Sequence, residues 1–190
     1  GFAVLAIPAA CALVVLAAAR FLYPRPQDLE QESQTVAVGG FSKKYWLYIA
    51  AVCCIAAGYV DFPLIAYHFE KSAEIPKEWI PAFFSIAMAA GGLSALVAGK
   101  LYDTKGLSVL MYVTGLSSLF VLFVFSGGFY LPLLGMVLWG IGMSSQESVM
   151  RAVVANLVQT NKRGTAYGML NLWFGLFWFL GSAGMGYLYD

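Results

Sequence analysis

The chain has little charge and little of what soluble enzymes use for chemistry. Of its 190 residues 11% are charged, against about 25% in ordinary soluble domains. Its single His excludes a His-rich site. Cys11, Cys53 and Cys54 have neither zinc-ligand spacing nor the pattern of an extracellular disulfide framework, so we interpret them as small apolar packing residues. The sequence contains no catalytic triad, phosphate-binding loop or metal-ligand cluster, and we expect no cofactor and no metal.

Long apolar runs dominate the sequence instead, and hydrophobic residues make up 61% of it. A hydrocarbon core of ~30 Å is crossed by about 20 apolar helical residues. Six stretches approach this length, at 2–21, 46–67, 80–101, 107–125, 129–158 and 165–188. The sequence therefore predicts an all-α membrane protein, a polytopic bundle of transmembrane helices in a lipid bilayer. The net charge of +1, with its cations at span ends, indicates no nucleic-acid partner.

Basic residues are distributed unequally between the two faces of this predicted bundle. If the spans alternate in direction, nine of the eleven Lys and Arg residues share one face: Arg20, Arg25, Lys43, Lys44, Lys100, Lys105, Arg151, Lys162 and Arg163. Only Lys71 and Lys77 lie on the other face. Because cytoplasmic loops collect Lys and Arg, we predict a multi-pass protein of the cell (plasma or inner) membrane. Its loops at 23–44, 102–106 and 159–164 are then cytoplasmic.

The longest polar stretch, residues 23–44, is rich in Pro, Gly and acidic residues and does not build a packed core. We interpret it as a cytoplasmic central loop. Residues 1–22 are then the last helix of an N-terminal half, and residues 45–190 are a C-terminal transmembrane bundle of five helices without its last helix. Since Gly1 opens inside an apolar run and Asp190 directly follows a span, we expect an internal piece of a longer protein.

A short segment occurs twice with one change. Residues 99–103 read GKLYD at the end of a predicted inward span, and residues 186–190 read GYLYD at the end of a predicted outward span. Repeated elements of opposite orientation are a common transporter architecture. The pair therefore predicts inverted repeats within the bundle.

The turn that contains Gly99-x-x-x-Asp103-x-x-Gly106 resembles the signature loop of the major facilitator superfamily of secondary transporters. Residues 146–152 (QESVMRA) and 162–168 (KRGTAYG) are similar to the corresponding stretches of many bacterial members. The family usually has Arg after the Asp and a basic residue after the last Gly. Here these positions are Thr104 and Leu107, so the basic role falls to Lys105 or is reduced.

The resemblance covers essentially the whole chain and places its spans at the family's sixth to eleventh helices. It implies a twelve-helix carrier in which two six-helix halves rock around a central cavity, so the absent N-terminal half is an expected partner. Gly99, Asp103, Lys105 and Gly106 would form the signature loop, with Asp103 in a cytoplasmic latch. An Asp beside a helix N-terminus gains about 0.3–1 kcal/mol. The alternative is that Asp103 only caps its own turn.

Two ionisable residues, Asp61 and His68, are candidates for the translocation path. In a continuous helix Asp61 would lie ~22 Å into the hydrocarbon core, where a charged side chain costs ~2.5–3.5 kcal/mol. Asp61 then either lines the path as a protonatable group, with His68 near the outer mouth, or bonds a cation on an absent helix or backbone groups that Pro63 has freed. In the second case His68 is an interfacial side chain.

Four further polar residues complete the candidate path. Glu147 and Arg151 are spaced i,i+4, which fits a salt bridge and, as the alternative, a direct role at the substrate or gate. Gln146 and Asn171 are neutral and bind either a solute or a neighbouring helix.

Together these features predict a secondary active transporter, a symporter or antiporter that moves a small-molecule solute by alternating access. Coupling to protons is left open. The alternative is a non-transporting membrane protein of the same fold, such as a sensor or an assembly factor. A membrane-embedded enzyme is disfavoured, because its catalytic groups would lie almost entirely on absent helices.

Overall fold

The computed structural model describes residues 13–18, 21 and 40–189. The chain divides into two compact units, Gly1–Val38 and Gly39–Asp190. In the first unit, residues 13–18 and 21 are helical and exposed. The rest of the predicted first span and most of the predicted central loop lie outside the described residues.

The second unit is all-helical over residues 40–189, without a strand in that range. Its α-helices are α1 (Lys43–Gly58), α2 (Phe62–Ser72), α3 (Ile80–Lys105), α4 (Ser108–Ser118), α5 (Phe120–Val124), α6 (Tyr130–Leu157) and α7 (Arg163–Tyr189). Short 3₁₀ turns, Lys77–Trp79 and Thr160–Lys162, precede α3 and α7. The all-α prediction is confirmed for the described residues.

Within the described residues, two helical segments are long and apolar enough to cross a membrane: Lys43–Ser72, which comprises α1 and α2, and Lys77–Lys105. They coincide with the predicted spans at 46–67 and 80–101. The shorter apolar helix Ser108–Val124 occupies the predicted fourth span. At the fifth and sixth, α6 and α7 are 28 and 27 residues long but are not among these two. Five of the six predicted spans lie within residues 40–189, and two helical segments there qualify on length and composition.

The outer faces of α3 and α4 are apolar. Leu93, Leu96 and Val97 on α3 are 64–75% exposed, and Met111 and Tyr112 on α4 are 74% and 71% exposed. A contiguous exposed apolar surface marks contact with another apolar phase. This surface is what a helix bundle presents to lipid.

The predicted second span is not one continuous helix. It breaks at residues 59–61, and α2 starts anew with Pro63 in its first turn. Gly58 is a weak helix former, and Pro63 lacks an amide hydrogen and clashes with the preceding turn. Pro63 therefore lies at the start of α2, whereas the sequence predicted it inside the continuous span 46–67.

Trp139 on α6 holds this break in place. Its indole Nε1 donates to the carbonyl of Val60 at 2.8 Å, and the hydroxyl of Tyr59 donates to the Trp139 carbonyl at 2.6 Å. Trp139 is only 1% exposed. The Val60 carbonyl at the break therefore has a buried donor, which such groups require.

Two further tyrosines attach α1 to α6 and α7. The hydroxyl of Tyr48 donates to the Met150 carbonyl on α6 at 3.1 Å, and that of Tyr45 donates to the Ala166 carbonyl on α7 at 2.9 Å. Both phenol rings are buried. Together with Tyr59, which directly follows α1, these tyrosines fix the position of α1 relative to α6 and α7.

The most extensive helix contact in the second unit joins α3 and α6. A Cβ at Gly91 would lie 2.6 Å from the Gly140 carbonyl oxygen, and one at Gly140 would collide with the Ala87 carbonyl. Next to this crossing, Ser145 donates to Ser94 at 3.0 Å. Helices in membranes associate through small residues that let their backbones approach. The glycines place α6 firmly against α3.

Several predicted loops are shorter than expected because the helices extend into them. Helix α1 begins at Lys43, capped by Ser42, inside the predicted loop 23–44. Helix α3 continues to Lys105, so most of 102–106 is helical. Helix α7 begins at Arg163, within the predicted loop 159–164. Lys43, Lys105 and Arg163 therefore lie in the terminal turns of these helices and not in the loops.

Candidate functional site

A cavity of about 330 Å³ lies between α6 and α7, beside the break that follows α1. Gln146, Glu147 and Arg151 line it from α6, and Asn171 lines it from α7. Small-molecule pockets in proteins measure roughly 300–1,000 Å³. The structure therefore brings four of the six predicted path residues to one cavity of suitable size for a small solute.

An aromatic wall faces these polar groups. Tyr59 lies 5.9 Å from Trp178, and Trp178 lies 5.3 Å from Phe174, measured between ring centroids. Met143 and Met150 add flexible apolar surface. Trp178 and Phe174 stand out in the sequence only as members of an aromatic run on α7. No pattern marks Tyr59, because its position depends on the break.

The side chain of Gln146 is hydrogen-bonded to a residue of α4. Its side chain is 5% exposed, and Nε2 donates to the hydroxyl oxygen of Ser117 at 3.2 Å. Ser117 in turn donates to the Thr114 carbonyl at 3.1 Å. Gly142 permits this approach, since a Cβ there would collide with the Ser117 side chain and lie 2.7 Å from the Tyr59 hydroxyl. Sequence reasoning missed Ser117, which has no local signal.

Glu147 and Arg151 form the salt bridge that their spacing allows, with Arg151 Nη2 donating to Glu147 Oε1. Both side chains are more than half exposed. Such exposed i,i+4 pairs are worth about 0.3–0.5 kcal/mol. The pair also borders a second cavity of about 250 Å³ on the α3 side of α6, lined by Ala95 and Ser148. It therefore stands between two cavities.

Asp61 does not line the cavity. It is the N-cap of α2, and its Oδ1 accepts a hydrogen bond from the Phe62 amide at 2.8 Å. Its side chain is partly buried. This geometry corresponds to the structural alternative, in which the carboxylate bonds backbone groups freed beside Pro63.

His68 also lies away from the cavity, at the far end of α2. Its Nδ1 is 2.6 Å from the Tyr189 hydroxyl, and its ring meets Phe125 edge-on at 4.7 Å. The Lys71 ammonium lies 5.1 Å from the Tyr189 ring centroid. His68 therefore joins the ends of α2 and α7 and makes no hydrogen bond with Asp61.

The signature residues lie around the α3–α4 turn. Gly106 has φ +61° and donates its amide to the Tyr102 carbonyl at 2.8 Å, which ends α3. A Cβ added at Gly99 would lie at ordinary contact distance from Ser148 on α6. The side chains of Asp103 and Lys105 are exposed and make no hydrogen bond or ion pair within residues 40–189. Since Asp103 lies inside the last turn of α3, the turn is closed by Gly106 and not by this carboxylate.

Asp61 provides a test of its capping role. Asp61→Ala should lower the free energy of unfolding by about 1 kcal/mol, because an N-cap acceptor is lost, whereas Asp61→Asn should change it by only a few tenths. Denaturant titration in mixed micelles measures both. Equal losses in the free energy of unfolding for the Asn and Ala variants would mean that the charge of Asp61 stabilises the protein and its capping hydrogen bond does not.

Comparison with known proteins identifies relatives of this chain. The chain is 32% identical to the uncharacterized protein Rv2265 of Mycobacterium tuberculosis (strain ATCC 25618 / H37Rv) over 195 residues, which is 98% of this chain and 47% of the relative. It has the same identity and coverage with the uncharacterized protein Mb2288 of Mycobacterium bovis (strain ATCC BAA-935 / AF2122/97). The chain thus spans about half the length of the curated relatives it matches. No solved structure matches it.

A family model described as "Major Facilitator Superfamily" matches residues 1–182. The match includes the cavity residues, the α3–α4 turn and nearly all of α7. It agrees with the resemblance carried by Gly99, Asp103 and Gly106. The chain belongs to the Major Facilitator Superfamily.

Proposed function

We propose that this protein is a secondary active transporter that moves a small solute across the cell membrane by alternating access. The family is one of membrane transporters. The observation that carries the proposal is the cavity between α6 and α7, in which four polar side chains face an aromatic wall. Polar groups are costly within a membrane and mark substrate pathways there. The solute would bind in this cavity.

The proposed carrier is polytopic and consists of two halves with inverted repeats. Residues 1–22 would end the first half, residues 23–44 would cross the cytoplasmic face, and residues 45–190 would belong to the second half. The matched stretch is 47% of each relative, which leaves room for a half of comparable size. The basic residues at 23–44, 102–106 and 159–164 support a cytoplasmic position for these loops.

Asp103 and Lys105 would serve as the cytoplasmic latch between the halves. Both are exposed at the end of α3 and are without a partner in the described second unit. Gly106 sets the direction of the chain after them through its left-handed conformation. A carboxylate without a partner at a tight turn is available to the N-terminus of a helix from the other half.

Solute flux in liposomes that carry the full-length protein tests the proposal. Counterflow with a panel of metabolite classes should find a transported solute, and Gln146→Leu should slow its flux about tenfold, the effect of one lost hydrogen bond of about 1.4 kcal/mol. Gln159→Leu is the matched control, because Gln159 is exposed and lies outside the cavity.

The outcome separates transport from the other functions of this fold. Flux equal to that of empty liposomes for every class would contradict the proposal and favour a sensor or an assembly factor. The pH dependence of flux in the wild type and in Asp61→Asn tests whether transport is coupled to protons through Asp61. If Asp61 only caps α2, the two profiles coincide.

A further inference from the structure

The cavity between α6 and α7 has a balanced charge. Among the described residues that line it, Glu147 and Arg151 are the charged ones, and they bind each other. A charged solute that paired with one of them would leave the other without its partner. An ion that enters a site without net opposite charge loses its hydration free energy. Hydrogen bonds to neutral amides do not fully replace that loss. The lining therefore disfavours both anions and cations.

The aromatic wall favours a flat apolar body. The planes of Tyr59 and Phe174 are tilted by 35° and 37° from that of Trp178. Such neighbouring faces accept another ring in offset or edge-on geometry. Aromatic faces also attract cations. Here, however, Arg151 lies on the same lining and compensates Glu147, the carboxylate that the described residues contribute to it.

The remaining polar groups of the lining are amides. Gln146 and Asn171 each offer both a donor and an acceptor. Ser117 fixes the orientation of Gln146 from outside the lining. Asn171 is exposed and makes no hydrogen bond within residues 40–189. A solute with a neutral head that both donates and accepts would match these two side chains.

We propose that the cavity binds an uncharged solute with a flat aromatic body and a neutral hydrogen-bonding head. This substrate class rests on the transport function proposed above and deepens it. Tyr59, Phe174 and Trp178 receive the ring, and Gln146 and Asn171 receive the head. Ser117 is a positioning residue that acts through Gln146.

Three probes with the same indole ring test the charge preference: indole-3-acetamide, indole-3-acetate and tryptamine. Near neutral pH their heads are neutral, anionic and cationic. Equilibrium dialysis of the labelled probes with full-length protein in detergent should show the acetamide binding at least about tenfold more tightly than either ion, a difference of about 1.4 kcal/mol. Equal or tighter binding of an ion, or no binding of the acetamide, overturns the proposal.

Variants connect the binding to the cavity. Trp178→Leu should weaken acetamide binding about tenfold, and Trp178→Phe, which keeps a ring, should weaken it less than about threefold. Trp79→Leu is the control, because Trp79 is half-exposed and lies outside the cavity. If Trp178→Leu does not fold, the comparison of Trp178→Phe with Ser117→Ala takes its place. Ser117→Ala should weaken the acetamide severalfold, and the same affinity as in the wild type counts against the site.

Flux of the same probes separates this proposal from the transport proposal. Uptake of tryptamine or indole-3-acetate into liposomes without binding of the acetamide means that transport holds and the substrate class is wrong. Selective binding of the acetamide without uptake of any solute means that the class holds and transport fails.

Discussion

Gly140→Ala should lower the free energy of unfolding by about 3 kcal/mol, the upper part of the range for an overpacked core. The new methyl group would collide with the Ala87 backbone carbonyl on α3. A backbone atom cannot turn aside as a side chain does, so α3 and α6 must separate. Separation would also disturb Ser94 and Ser145, which are hydrogen-bonded between the two helices.

Gly92→Ala is the matched control on α3. Nothing lies within 4 Å of a Cβ at Gly92. Alanine is the better helix former by about 1 kcal/mol, so this variant should be neutral or slightly more stable. Denaturant titration in mixed micelles compares the two variants at the same protein concentration. Similar losses in the free energy of unfolding for both variants would show that α3 and α6 do not approach each other closely at Gly140.

Gly91→Ala provides an independent check of the same crossing. Its Cβ would meet the Gly140 carbonyl and the Ser144 side chain. The loss should be similar to that of Gly140→Ala. Because both variants push apart the same two helices, the double variant should lose less than the sum of the single ones. If the losses of the two single variants add up exactly in the double variant, the two glycines belong to separate helix contacts.

The helices could be predicted from the sequence because apolar runs and polar turns report directly on local structure. The run at 129–158 became α6 at Tyr130–Leu157, and that at 165–188 became α7 at Arg163–Tyr189. The freed backbone groups beside Pro63 were one of the alternatives, but the end of α1 at Gly58 was not predicted. Both residues are tolerated inside membrane helices, so the sequence does not decide between a bend and a new start.

The candidate site was predictable only where a polar residue interrupts an apolar helix. Gln146, Glu147 and Asn171 carry this signal, and the structure places all three at one cavity. Tyr59 and Ser117 carry none, because their positions depend on how the break and α4 pack against α6. The aromatic residues of α7 follow each other closely in the sequence, and no sequence pattern shows which of them face the cavity.

Trp139→Phe should lower the free energy of unfolding by about 2 kcal/mol, the cost of leaving a buried acceptor without a donor. The indole donates to the Val60 carbonyl at 2.8 Å, and phenylalanine keeps the ring but not the donor. Trp79→Phe is the control, because Trp79 is 47% exposed. Substitution at an exposed site usually changes stability by no more than about 0.5 kcal/mol.

Loss of ring volume at Trp139 would also destabilise the protein, so a local measurement is needed. Hydrogen–deuterium exchange separates the two causes. If the Val60 carbonyl loses its donor, the amides at residues 59–61 should exchange faster, while those near Met150 on α6 keep their protection. A volume effect would instead spread over the neighbours of Trp139, including Phe62 and Phe84. Unchanged exchange at residues 59–61 would show that the break does not depend on this indole. Faster exchange there would establish Trp139 as the residue that fixes Tyr59 beside the cavity.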